Sequence, residues 1–136
     1  MMTGIKQQFM AFRNGVLADT LRKAGWPHKV IFGLNLPQLP DIAKSIDKPN
    51  HGLAERLWAD KEVRESRLLA AFLFSHEMTT KQIENICMDI RTKEECDILA
   101  FRWLRYLPQA KDLYSRYHQS ENEMLNYLST AIERFL

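Results

Sequence analysis

The side chains best suited to chemistry in this 136-residue chain gather in one stretch, Ile86-Cys87-Met88-Asp89-Ile90-Arg91-Thr92-Lys93-Glu94-Glu95-Cys96-Asp97, and in the cations that follow it. The two cysteines, Cys87 and Cys96, match no zinc-ligand spacing, so no metal is expected. With no apolar export segment at Met1-Met2-Thr3-Gly4-Ile5-Lys6, they are expected as reduced thiols in the cytoplasm rather than as a disulfide. Lys93, Arg102, Arg105 and Lys111 are cations able to meet phosphate, and segment 91–116 carries a net +2. Segment 1–34 carries +4, segment 35–90 carries −2 and the tail from Tyr117 carries −2, within a chain of net +2. A total that small does not by itself mark a nucleic-acid binder. Two readings of the uneven distribution stay open: solvated helix faces, or a basic surface formed where segments 1–34 and 91–116 meet.

These residues must be positioned by helices, because helix signals dominate the chain. Thr79-Thr80-Lys81-Gln82, Thr92-Lys93-Glu94-Glu95 and Ser120-Glu121-Asn122-Glu123 each place a hydroxyl three residues before Glu or Gln. In that pattern hydroxyl and side-chain acceptor satisfy the first turn's free amides reciprocally. Ile83, Ile86, Cys87 and Ile90, then Leu125, Leu128, Ile132 and Phe135, recur at helical spacing. Breakers fall at Gly25-Trp26-Pro27, Asp47 to Gly52, Ser75 to Met78 and Leu107-Pro108-Gln109. Helices are therefore expected near 4–24, 28–33, 36–46, 51–59, 62–74, 80–90, 93–106, 109–117 and 121–135. Pair starts near His51, Thr80 and Gln109 recur at an interval of 29 residues, the fixed-period pattern of a helical solenoid. The expected fold is all-α, a HEAT-like α-α superhelix of stacked antiparallel helix pairs in one domain spanning 1–136. Trp58, Leu69, Phe72, Ile86, Leu99 and Trp103 are expected in its core. No apolar run approaches the ~20 residues that span a bilayer, so no membrane association is expected.

Residues 30–107 carry a family likeness. Phe32-Gly33-Leu34-Asn35-Leu36-Pro37-Gln38-Leu39 resembles a Gly-containing turn followed by a Pro-started helix in the AlkD-type DNA alkylation repair family of HEAT-like DNA glycosylases. Leu53-Ala54-Glu55-Arg56-Leu57-Trp58 and Glu65-Ser66-Arg67-Leu68-Leu69-Ala70 are similar to that family's paired "LA-x-x-LW" and "E-x-R-x-LA" segments. Read as residues alone, Trp58 lies on an apolar stripe with Leu53 and Leu57, and Glu65 and Arg67, two apart, each brace a neighbouring helix. Gly33 serves a backbone conformation that a Cβ would hinder.

The stretch ending Cys96-Asp97 resembles the family's "W-D-x-C-D", whose last aspartate is the catalytic carboxylate, so the resemblance implies that role for Asp97. A cationic N3- or N7-alkylated purine is already a good leaving group. Catalysis then asks only for a negative charge beside the oxocarbenium-like sugar. The resemblance further implies that no deep pocket holds the flipped base. The pattern departs at its first position, where Lys93 stands in place of the tryptophan expected against the lesion's sugar. A lysine there pairs with Glu94, Glu95 or Asp97, or else repels a cationic base. The family's arginine and second aromatic are expected in later repeats, beyond Leu136, and Arg134 falls near that arginine's distance from Asp97 with no motif around it.

Two functions follow. The first is a nucleic-acid-associated helical-repeat protein with an incomplete site for excising cationic alkylated purines, double-stranded DNA being its partner. In it Asp97 is the electrostatic stabiliser and Lys93, Arg102, Arg105 and Lys111 are phosphate contacts. The second is a non-catalytic helical-repeat module with a protein partner. Neither implies a cofactor.

Overall fold

Asn14, Asn50, Thr79, Thr92 and Asn122 each turn a side-chain oxygen onto a free amide two or three residues ahead, and each starts a helix. The computed structural model describes residues 2–136. Among these the elements are α1 (Met2–Ala11), α2 (Gly15–Lys23), α3 (Gln38–Ala43), α4 (His51–Ala59), α5 (Arg64–Ala70), α6 (Thr80–Met88), α7 (Lys93–Arg102), a 3-10 turn (Leu104–Tyr106), α8 (Ala110–Tyr117) and α9 (Glu123–Glu133). No strand forms among the described residues beyond an isolated bridge between Val30 and Val63. The all-helical fold expected of a helical repeat is therefore present. The starts of α4, α6 and α8 at His51, Thr80 and Ala110 keep the expected interval within one residue.

The chain divides into two compact units, Met1–Phe74 and Ser75–Leu136. In the first, Phe9, Leu34, Leu39, Leu53, Leu57, Leu69 and Leu73 are fully buried, and α4 packs on α5. In the second, Ile83, Cys96, Leu99, Trp103, Leu104, Leu113, Leu128 and Ile132 form the core, with α7 and α8 packed on α9. Burial of this apolar surface is what holds helices this short, since isolated helices under a dozen residues are marginal in water. Leu69→Ala is expected to cost about 2–5 kcal/mol, because deleting the buried isobutyl group leaves a cavity as well as a lost transfer term. Urea denaturation would measure it.

Several expected boundaries are corrected. Residues 28–33 are extended rather than helical: Val30 donates to Glu62 O at 2.9 Å and its carbonyl accepts from Arg64 N at 3.2 Å. Its amides and carbonyls are taken by the turn between α4 and α5, so no helical ladder can form. The first expected helix is two, because Asn14 is extended (φ −135°) and caps α2. Trp103 ends α7 at φ −136°, its Nε1 donating to Ser75 O at 2.9 Å. Of the three expected capping boxes, Thr79 with Gln82 is complete. Thr92 caps α7, but the Glu95 carboxylate reaches Arg91 N rather than Thr92 N. The third start moves to Asn122, whose side chain accepts from both Met124 N and Leu125 N, while Ser120 only supports the turn before it. Trp58, Leu69, Leu99 and Trp103 are buried as expected, whereas Phe72 and Ile86 are half-buried. On α6 the inward stripe is Ile83, Cys87 and, just beyond it, Ile90, leaving Ile86 on the flank.

Candidate functional site

Lys93, Asp97 and Phe101 are spaced i, i+4, i+8 and so form one row along α7. Against that row lies α9. Cys96 Sγ reaches Met124 O at 3.7 Å, Asp97 meets Tyr127, and the Phe101 and Phe135 rings are 5.8 Å apart. The contacts advance together along both helices, so α7 and α9 run in the same direction as neighbours. Equivalent helices of successive repeats pack in this way.

In the middle of this seam the Tyr127 hydroxyl donates to both oxygens of Asp97, at 2.9 Å to Oδ1 and 3.1 Å to Oδ2. Both residues are half-buried. The tyrosine's pKa is raised, first by burial and then by the hydrogen bond to Asp97 and that residue's charge, while Arg134 acts in the opposite direction. Tyr127 is therefore a neutral donor at ordinary pH. Lys93 does not pair with Glu94, Glu95 or Asp97: it makes no ion pair among the described residues, and its Nζ lies 5.2 Å from the Tyr127 ring centroid. The structure thus brings Asp97 and Lys93 to one aromatic ring, Tyr127, that the sequence reading missed. Asp97 and Tyr127 are 30 residues apart, close to the repeat interval. Trp103 to Ser75 and Gln109 to Met78, 28 and 31 apart, are contacts of the same kind. Looking one repeat downstream of Asp97 for an aromatic was the available signal.

The other cations separate into two groups. Arg102 and Arg105 sit at the C-terminal end of α7 and in the 3-10 turn, each with its guanidinium near the Phe101 ring. Lys111 is exposed on α8, and Arg116 on the same helix pairs with Asp112 and Glu84. Cys87 and Cys96 are free and buried, and burial pushes the Cys87 thiol up to about 12 and Cys96 in the same direction. Neither is a nucleophile at neutral pH, where the thiolate is needed. No group of three or more His, Cys, Asp or Glu that could hold a metal ion occurs among the described residues. No helix among them is long and apolar enough to cross a membrane.

In the first unit the motif residues brace the fold. Glu65 is fully buried and accepts from Phe32 N at 3.0 Å, Gly33 N at 3.2 Å and Arg64 Nη1 at 2.7 Å. Arg67, also fully buried, donates to Trp58 O at 2.7 Å and lays its guanidinium 3.6 Å from the centre of the Trp58 ring. The two side chains serve different neighbours: Arg67 braces α4 as expected, whereas Glu65 holds the non-helical segment at Phe32 and Gly33 rather than a helix.

A sequence model of the family described as "DNA alkylation repair enzyme" matches residues 5–129. No curated protein and no solved structure matches the chain significantly.

Proposed function

The chain belongs to the DNA alkylation repair enzyme family, and from that premise we propose that it is a DNA-associated helical-repeat protein whose Asp97 site is incomplete for excising cationic alkylated purines. The observation that carries this reading is the engagement of Asp97: both carboxylate oxygens already accept from Tyr127, and the Lys93 ammonium lies over the same ring. Excision of a cationic purine needs the carboxylate's negative field at the developing sugar cation. A hydrogen bond to that carboxylate disperses its charge, and a cation in the same site opposes the field. An ammonium also offers no flat face for the sugar to lie against.

Double-stranded DNA is the partner, held through phosphates by Lys93, Arg102, Arg105 and Lys111. Such contacts release counterions and little else would hold the duplex, so four of them give a log–log salt slope of about −4. Titrations of fluorescent duplex at several salt concentrations would measure the slope. Binding indifferent to salt, or none even at low salt, would favour the non-catalytic protein-interaction alternative.

The chain is expected to release 3-methyladenine or 7-methylguanine from methylated duplex DNA far more slowly than an active family member. Base release should be compared for the wild type, Asp97→Asn and Lys93→Trp. Clear wild-type release that vanishes in Asp97→Asn would overturn the incomplete site, and a gain confined to Lys93→Trp would support it.

A further inference from the structure

At the C-terminal end of α7 the seam with α9 ends in a cluster of exposed rings built around one guanidinium. Phe101, Tyr106 and Phe135 are 44%, 54% and 37% exposed. Arg105 Cζ lies 5.0, 4.7 and 4.8 Å from their respective ring centroids. Arg102 Cζ is 4.9 Å from Phe101, and His76 stacks on Tyr106 at 5.6 Å with planes 8° apart. The local backbone produces this arrangement: Trp103 ends the helix, and the 3-10 turn that follows carries Arg105 and Tyr106 back beside Phe101.

Three large rings left together in water around a cation are an unusual surface for a soluble domain to keep. Arg105 pairs with no carboxylate among the described residues, so the rings fix its position while its charge stays uncompensated. A planar cation held in place suits a phosphate, and the exposed parts of rings 37–54% accessible suit a base that has left its stack. A duplex hides its base faces within its own stack and can use only the cations. An acidic peptide would likewise use the cations and leave the rings idle. Only a single strand uses both.

We propose that the Phe101, Arg105, Tyr106 and Phe135 cluster is a stacking platform for unpaired bases of single-stranded DNA. The proposal rests on the DNA-associated reading of the same unit and adds a second subsite, centred on Phe101 one helical turn, about 6 Å, along the seam from Asp97. The test uses the full chain and a fluorescein-labelled oligothymidylate of about ten nucleotides, within the site sizes typical of single-strand binders, read by anisotropy at low salt. Tyr106→Ala and Phe101→Ala are each expected to weaken binding about ten-fold or more, since one stacking contact is lost. Tyr106→Trp, which keeps a ring, should retain it. Circular dichroism should be unchanged, because both side chains are exposed. An abasic oligonucleotide of the same length should bind more weakly than oligothymidylate by a similar factor. Unchanged affinity in both alanine variants, equal binding of the abasic strand, or tighter binding of a poly-glutamate peptide would overturn the proposal. Failure of duplex binding with oligothymidylate binding intact would remove the duplex reading and leave this one standing. Duplex binding without oligothymidylate binding would remove this one alone.

Discussion

Glu65→Ala is expected to destabilise the chain by about 3–5 kcal/mol, the range found when one partner of a buried charged pair is removed. The Glu65 carboxylate has no solvent exposure and accepts from two backbone amides and one guanidinium. Its removal leaves the Arg64 cation, itself 3% exposed, without its nearest counter-charge. It also leaves Phe32 N and Gly33 N without acceptors where little water can reach them. Glu65→Gln keeps the shape but must turn an amide donor toward one of those donors, so it should recover only part of the loss. Urea denaturation of the two variants against wild type is the measurement. A loss under about 1 kcal/mol in Glu65→Ala would mean that the extended segment 28–33 is held by something other than this carboxylate, since a single buried acceptor of this kind is worth more.

Gly33→Ala is expected to cost about 2–5 kcal/mol, combining a left-handed backbone penalty with overpacking. Gly33 has φ +85°, and a Cβ there would stand 2.2 Å from Asn14 O and 2.9 Å from Ala18 N, both backbone atoms that cannot swing aside. Asn14 is the cap of α2, bonded through its amide to Phe32 O at 2.8 Å, so yielding to the methyl group would pull the cap from its helix. Gly25 supplies the control: its φ is +98°, but nothing lies within 4 Å of an added Cβ. Gly25→Ala should therefore show the backbone part alone, about 1–2 kcal/mol. Equal losses at the two positions would contradict the steric argument. Because Gly33 N donates to Glu65, the Gly33→Ala and Glu65→Ala losses should fall short of additive when combined.

Helix identity, most starts and the repeat interval were legible along the chain because each is set within about one turn. A Thr or Asn at a cap acts on an amide two or three residues away, and apolar residues at helical spacing define a face wherever that face is later buried. The carboxylate of Asp97 and the cations Lys93, Arg102, Arg105 and Lys111 could be named on the same basis, as residues exposed or half-exposed on and after α7. What surrounds them could not. Residues 28–33 are extended because the acceptor for Phe32 N and Gly33 N is a carboxylate more than thirty residues later. Asp97 is engaged because α9 packs beside α7 in the same direction and brings a hydroxyl from 30 residues away. Lys93 lies over a ring rather than in an ion pair, since α9 brings the Tyr127 ring beside it. Hydrogen bonds and ring contacts act over a few ångströms of space whatever the separation in sequence, so the sequence determined the helices and their repeat, and only the packing of one repeat on the next decided which side chains meet.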